Sequence, residues 1–156
     1  MWTTTLNIGH QWSVTVAGPG DSLRAKLRDR SYAPPIMRTL GMKFVEVEEG
    51  RVVMTLEVRK KFHNPMGTLH GGVMTDLADA CMGVATMSTL ADDESFTTLE
   101  LKMNFLRPVV EGELRAEAKV VHRGRTMAMT EVVLRNQAGK DVARGTATQM
   151  VLRAGK

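Results

Sequence analysis

Between about Gly72 and Leu90 the chain is apolar on nearly every side: Val73, Met74, Leu77, Ala78, Ala80, Cys81, Met82, Val84, Ala85, Met87 and Leu90 leave no polar face of ordinary width. The segment is too long for a strand and too uniformly apolar for a surface helix, so it is expected to be a helix enclosed by other structure. That demand governs the rest of the chain, which must supply a layer able to surround one helix. A length of 156 residues with 43% hydrophobic content suffices for one domain with a full core.

The flanking sequence reads as strands. Met42–Glu49 and Arg51–Val58 flank Gly50 and are rich in Phe and Val, which predicts a strand pair ended by Asn64-Pro65-Met66-Gly67. After the loop 91–95, Leu99, Leu101, Met103 and Phe105 alternate with Glu100, Lys102 and Asn104. Leu114–Val120, Met127–Arg135 and Val142–Leu152 continue the alternation. The turns at Pro108–Gly112, Arg123–Arg125 and Gln137–Lys140 are short enough for antiparallel neighbours. Two strands, a buried helix and four further strands imply an α+β fold, a curved antiparallel sheet folded around the helix, with edges that invite self-association.

Residues 1–20 have no sustained period and read as a loose arm. A short helix is expected from Asp21, on Leu23, Lys26, Leu27 and Arg30, stopped by Pro34-Pro35. The expected organisation is an arm and short helix over 1–35 and the main domain over 36–156.

No run of 18 apolar residues predicts a membrane span, and the start of the chain lacks the form of a secretory signal. The single cysteine, Cys81, allows no internal disulfide, so a cytoplasmic, reduced setting is the expectation. Residues 1–63 carry ten Lys/Arg against six Asp/Glu, residues 64–95 none against five, and residues 96–156 eleven against six. With aromatics at 4% and no basic cluster, this pattern speaks against nucleic acid and for a smaller anionic ligand such as a phosphorylated cofactor. No Gly-x-Ser-x-Gly elbow, phosphate loop or dinucleotide fingerprint is present.

Two carboxylates, Asp76 and Asp79, interrupt the apolar helix, and burying them is unfavourable unless they are paired or used. Just before them, His70-Gly71-Gly72 opens the helix, where free N–H groups beside glycines can hold an anion or polarise a carbonyl oxygen. Cys81 reads as a buried small hydrophobe, and most of Met74, Met82, Met87 and Met103 as core. His63 and His122 read as strand or loop residues, and no metal site is expected.

Asn64, His70-Gly71-Gly72, Leu77-Ala78-Asp79, Thr98 and Arg107-Pro108 together resemble the hotdog-fold acyl-CoA thioesterases of the phenylacetate-degradation type, over about residues 36–153. The resemblance implies hydrolysis of an acyl-CoA thioester, with Asp79 as nucleophile or general base and the Gly71 N–H polarising the carbonyl. It further implies that Asn64 holds the thioester or the attacking water, that His70 supports the loop and Asn64, and that Thr98 positions the water. Asp76 stands where relatives carry an uncharged residue, Thr98 replaces a frequent serine, and residues 1–35 have no clear counterpart. No separate cofactor is expected, coenzyme A being part of the substrate. The basic turn Arg123-Gly124-Arg125 is the expected contact for its phosphates. A hydratase or dehydratase of the same fold and a non-catalytic acyl-CoA binding module are the alternatives.

Nine residues at a helical rise of about 1.5 Å separate His70 from Asp79 by about 13 Å, too far to serve one carbonyl. The site is therefore expected to cross a subunit boundary in a homodimer, itself expected to pair into a tetramer.

Overall fold

The computed structural model describes residues 3–7, 13–17 and 32–153. Six strands form one antiparallel sheet: β3 (Lys43–Glu48), β4 (Arg51–Glu57), β5 (Glu94–Phe105), β6 (Glu113–Arg123), β7 (Met127–Arg135) and β8 (Asp141–Arg153), in the spatial order β3-β4-β6-β7-β8-β5. The long helix α2 (Gly71–Met87) packs against β4, β5, β6, β7 and β8. A single helix can touch five strands of one sheet only where the sheet curls around it. This is the expected α+β architecture, the hotdog fold.

Alternation explains the inner surface. Leu114, Ala116 and Ala118 of β6 and Ala128, Thr130, Val132 and Leu134 of β7 are buried, while their neighbours face outward or are partly covered. Leu114, Ala116, Ala118, Val132 and Leu134 share one core cluster with Leu77, Ala78, Cys81, Met82 and Ala85 of α2, all fully buried. The alanines on the sheet let the helix approach closely, and leucine and methionine on the helix fill the remaining space.

Four expectations need correction. First, the helix is not enclosed on every side. Gly72, Asp76 and Asp79 are exposed, and Val73, Ala80, Gly83 and Met87 are only partly buried, because the strands cover one side of the helix and leave the stripe of small and acidic residues open. Asp76 and Asp79 are therefore not buried in the single chain.

Second, β5 does not pair with β6. It crosses to the far edge and pairs with β8, Met103 facing Gly145. The connection is held on the way: the N–H groups of Leu106 and Arg107 donate to Val142 O, that of Leu69 to Val109 O and that of Val58 to Gly112 O. It thus passes the start of α2 and reaches β4, which explains how a short link can join two distant strands.

Third, a bulge between Thr98 and Glu100 makes Leu99 the extra residue of β5, and Leu99 is 60% exposed despite the alternating sequence. Phe105, also expected to face inward, is exposed as well.

Fourth, Thr3–Asn7 (β1) and Ser13–Ala17 (β2) pair as an antiparallel ladder with Thr5 opposite Thr15, where a loose arm was expected. Both segments are rich in Thr, Val and other strand formers, and five residues are enough for a ladder but too few for a visible period. The expected helix from Asp21 lies outside the described residues. The Pro34-Pro35 pair opens a helix, α1 (Pro35–Leu40), with Pro35 in its first turn, where a missing N–H has no consequence.

Candidate active site

At the start of α2, His70 is the cap residue. Its backbone N–H donates to Phe62 O at 2.9 Å, and its ring Nδ1 accepts from the Gly72 N–H at 2.9 Å. The ring therefore serves the helix terminus, and no hydrogen bond joins it to Asn64. With the Gly72 N–H satisfied by the ring, the Gly71 N–H makes no hydrogen bond to any described residue. A Cβ at position 71 would stand 3.1 Å from Cζ of Phe105, so the ring lies close over the glycine.

Asn64 is held by its own loop. Its Nδ2 donates to Thr68 Oγ1 at 3.0 Å, while Oδ1 accepts from the N–H groups of Met66 and Thr68 at 3.0 and 3.2 Å. Asn64, Thr68, Gly71, Phe105, Arg107 and Pro108 border one open cavity of about 340 Å³. Thr68 and Phe105 had not been singled out; the Asn-Pro-x-Gly-Thr turn could have indicated Thr68, whereas Phe105 depends on the crossover.

Asp79 and Thr98 stand at a different cavity, of about 250 Å³, walled by Tyr32, Ile36, Met37, Met87 and Phe96 among others, with Asp76 also on its lining. The Thr98 hydroxyl donates to Asp79 Oδ1 at 3.4 Å. Asp79 is open to solvent on one side yet crowded on the others. That desolvation raises its carboxyl pKa above the ordinary value, with the Thr98 hydroxyl opposing and the Asp76 charge adding to the rise. The apolar wall from Tyr32 to Met37 was not anticipated, because nothing local ties that segment to the helix.

The structure brings Asp79 together with Thr98, and Asn64 together with Gly71, but it does not bring the two pairs together. Gly71 and Asp79 are eight residues apart on one helix, about 12 Å along its axis, and the cavity that Gly71 borders is not the one that Asp79 lines.

In the turn Arg123-Gly124-Arg125, the two arginines differ. Arg123 forms an ion pair with Glu94 and also donates to Gly124 O. Glu94, with its side chain only 4% exposed, also binds Arg153 at 2.8 Å and accepts from the Ala91 N–H at 3.0 Å. Burial alone would raise the Glu94 carboxyl; the Ala91 N–H and the two guanidinium groups outweigh it and hold the pKa below the ordinary value. Arg123 thus joins the turn to the start of β5. Arg125 is exposed, with no hydrogen bond or ion pair to a described residue. Gly124 sits beside His122, whose Nε2 would be 3.0 Å from a Cβ at position 124.

Cys81 is fully buried, and burial pushes its thiol up to about 12. His63 Nε2 bonds to Val110 O at 2.9 Å. Among the described residues no three His, Cys, Asp or Glu side chains are grouped to hold a metal ion, and no helix is long and apolar enough to cross a membrane.

The family model of the thioesterase superfamily matches residues 66–143, half of the chain. Acyl-coenzyme A thioesterase 13 of Homo sapiens is 32% identical over 133 residues, covering 82% of this chain and 93% of its own. The 1,4-dihydroxy-2-naphthoyl-CoA hydrolase of Listeria monocytogenes is 32% identical over 105 residues, covering 67% of this chain and 85% of its own. Among solved structures, a thioesterase family protein from Silicibacter pomeroyi superposes with a TM-score of 0.76 at 30% identity, covering 84% of this chain and 99% of that one. The E. coli PaaI protein from the phenylacetic acid degradation operon gives 0.75 at 26% identity, covering 85% and 96%.

Proposed function

This chain belongs to the thioesterase superfamily and is a hydrolase of that family; from that premise we propose that it cleaves acyl-CoA thioesters at a site shared by two protomers. The observation that carries the reading is the separation of the two half-sites. Asp79 and Thr98 of one protomer would face Asn64 and Gly71 of the other, and a two-fold axis between antiparallel copies of α2 would create two such sites. The open stripe of α2, with Gly72, Asp76, Asp79, Ala80 and Gly83 accessible or partly so, supports a partner there.

The chemistry follows from the groups at hand. The thioester oxygen lies against the Gly71 N–H, which stabilises the negative charge that develops on it. Asp79 acts as the general base: it takes a proton from water while the water oxygen attacks the carbonyl carbon, and it returns that proton to the thiolate as the C–S bond breaks. A carboxyl with a raised pKa is the stronger base for this task, and the Thr98 hydroxyl beside it offers a second contact to the water. Asn64 orients the thioester, held by Thr68. Arg125 meets the phosphates of coenzyme A, which the basic surplus of residues 96–156 favours. Substrate classes among relatives support this: one is named for acyl-coenzyme A and another for an aryl-CoA. A hydratase would require a histidine beside the acyl group, and among the described residues no histidine lines the Asp79 cavity.

Subunit complementation tests the shared site. Asn64→Ala and Asp79→Asn homodimers should each be nearly inactive, while a verified heterodimer of the two has one site with both residues intact. Close to half of the parent activity is expected per heterodimer, and none at all would place the whole site in one chain.

A further inference from the structure

We propose that Asp76 acts as a charge filter for the acyl group, disfavouring substrates whose acyl chain carries a carboxylate and accepting those that are neutral. The inference rests on the site reading above and adds to it a residue with no part in the reaction. Asp76 lies one helical turn before Asp79 on the lining of the same cavity. The remainder of that lining is chiefly apolar, with Ile36, Met37, Ala80, Val84, Met87 and Phe96 offering a body-sized surface for an acyl group.

Asp76 has no hydrogen bond or ion pair to any described residue, in contrast to Glu94, Glu117 and Asp141, each of which is met by arginines. The local sequence offers no compensating cation either, since residues 64–95 contain no Lys or Arg. Among the described residues no lysine or arginine lines the cavity. The Asp76 charge is felt at Asp79, which places the two carboxylates within electrostatic reach of one another and of anything bound between them.

A thioester with its carbonyl at Asp79 must direct its acyl chain along this lining. A second carboxylate on that chain would enter a part of the site already holding two, with no Lys or Arg among the described residues that line this cavity. Repulsive elements of this kind separate substrates that apolar contacts alone treat alike. A chain ending in a methyl group meets no such penalty.

The test compares two acyl-CoAs of equal chain length, hexanoyl-CoA and adipoyl-CoA, by kcat/KM in the full-length protein. The readout is the ratio of the two values within each variant, so a general change in turnover cancels. The parent should favour hexanoyl-CoA by about tenfold or more, and Asp76→Asn should reduce that ratio at least about threefold. Asp76→Ser should reduce it similarly, since charge and not size is the cause. Added salt should compress the ratio in the parent more than in either variant. An equal ratio in parent and both variants, with hexanoyl-CoA hydrolysed, would overturn the filter and leave the site reading intact. Loss of hydrolysis of both substrates in Asp76→Asn would overturn it too, by placing Asp76 in the chemistry. Absence of hydrolysis of any acyl-CoA by the parent would instead overturn the site reading, and the filter with it.

Discussion

Replacing Asp79 by Asn separates chemistry from architecture. Asn keeps the size of the side chain and an oxygen able to accept from the Thr98 hydroxyl, which stands 3.4 Å away, but it cannot take a proton from water. A general base is needed in the transition state more than in the bound ground state, so kcat should fall by about 10²- to 10⁴-fold, or about 3–5 kcal/mol, with KM within a few-fold. Stability should move the other way. The Asp79 pKa is raised in the folded chain from its ordinary 3.8, so its contribution is fully present below that value and is lost as pH rises through the higher folded value. Asn has no such loss, so the melting temperature of the variant should gain on the parent between about pH 4 and neutrality. Thiol release from a panel of acyl-CoAs reads the first effect, and melting curves across pH read the second. Near-parent turnover on every good substrate would refute the assignment of Asp79 as base. A melting temperature that falls relative to the parent as pH rises would refute the account of its environment.

Three further variants probe the packing and the basic turn. Gly145→Ala places a Cβ 2.3 Å from Met103 Sδ, which can swing away, and 2.9 Å from Lys102 O, which is backbone and cannot. The edge strand β5 must shift, so a loss of about 1–3 kcal/mol and a melting point lower by about 3–10 °C are expected in thermal denaturation. Arg123→Ala should lower stability by about 1–3 kcal/mol, because it removes a charged hydrogen bond to buried Glu94. Arg125→Ala should leave the melting temperature within a degree or two but raise KM for acyl-CoA several-fold, most at low salt; equal behaviour of the two variants would dissolve the distinction between them.

Much of the fold was legible because it is local. Met127–Arg135 is a strand in both readings, and β4, β6 and β8 begin and end within a few residues of their alternating patterns. The helix was visible because no other element accommodates so long an apolar run, and the His-Gly-Gly opening marked its start to within a residue. Asp79 and Thr98, nineteen residues apart in the chain, were named together only through the resemblance, and the fold brings them to 3.4 Å.

Tertiary structure decided the matters that turn on which surfaces meet. Alternation shows which residues share a face of a strand but not which strand lies beside it, so the crossing of β5 to β8 was invisible, and with it the closing of Phe105 over Gly71. One extra residue at Leu99 broke the alternation without any mark in composition. The pairing of Arg123 with Glu94, twenty-nine residues earlier, leaves no mark in the sequence of the turn itself. The helix carboxylates read as buried because an apolar run looks enclosed, whereas the sheet covers one side of the helix and leaves the other open. Periodicity is a property of a segment and its own backbone geometry, while burial and pairing depend on contacts between segments, and only the folded chain chooses those.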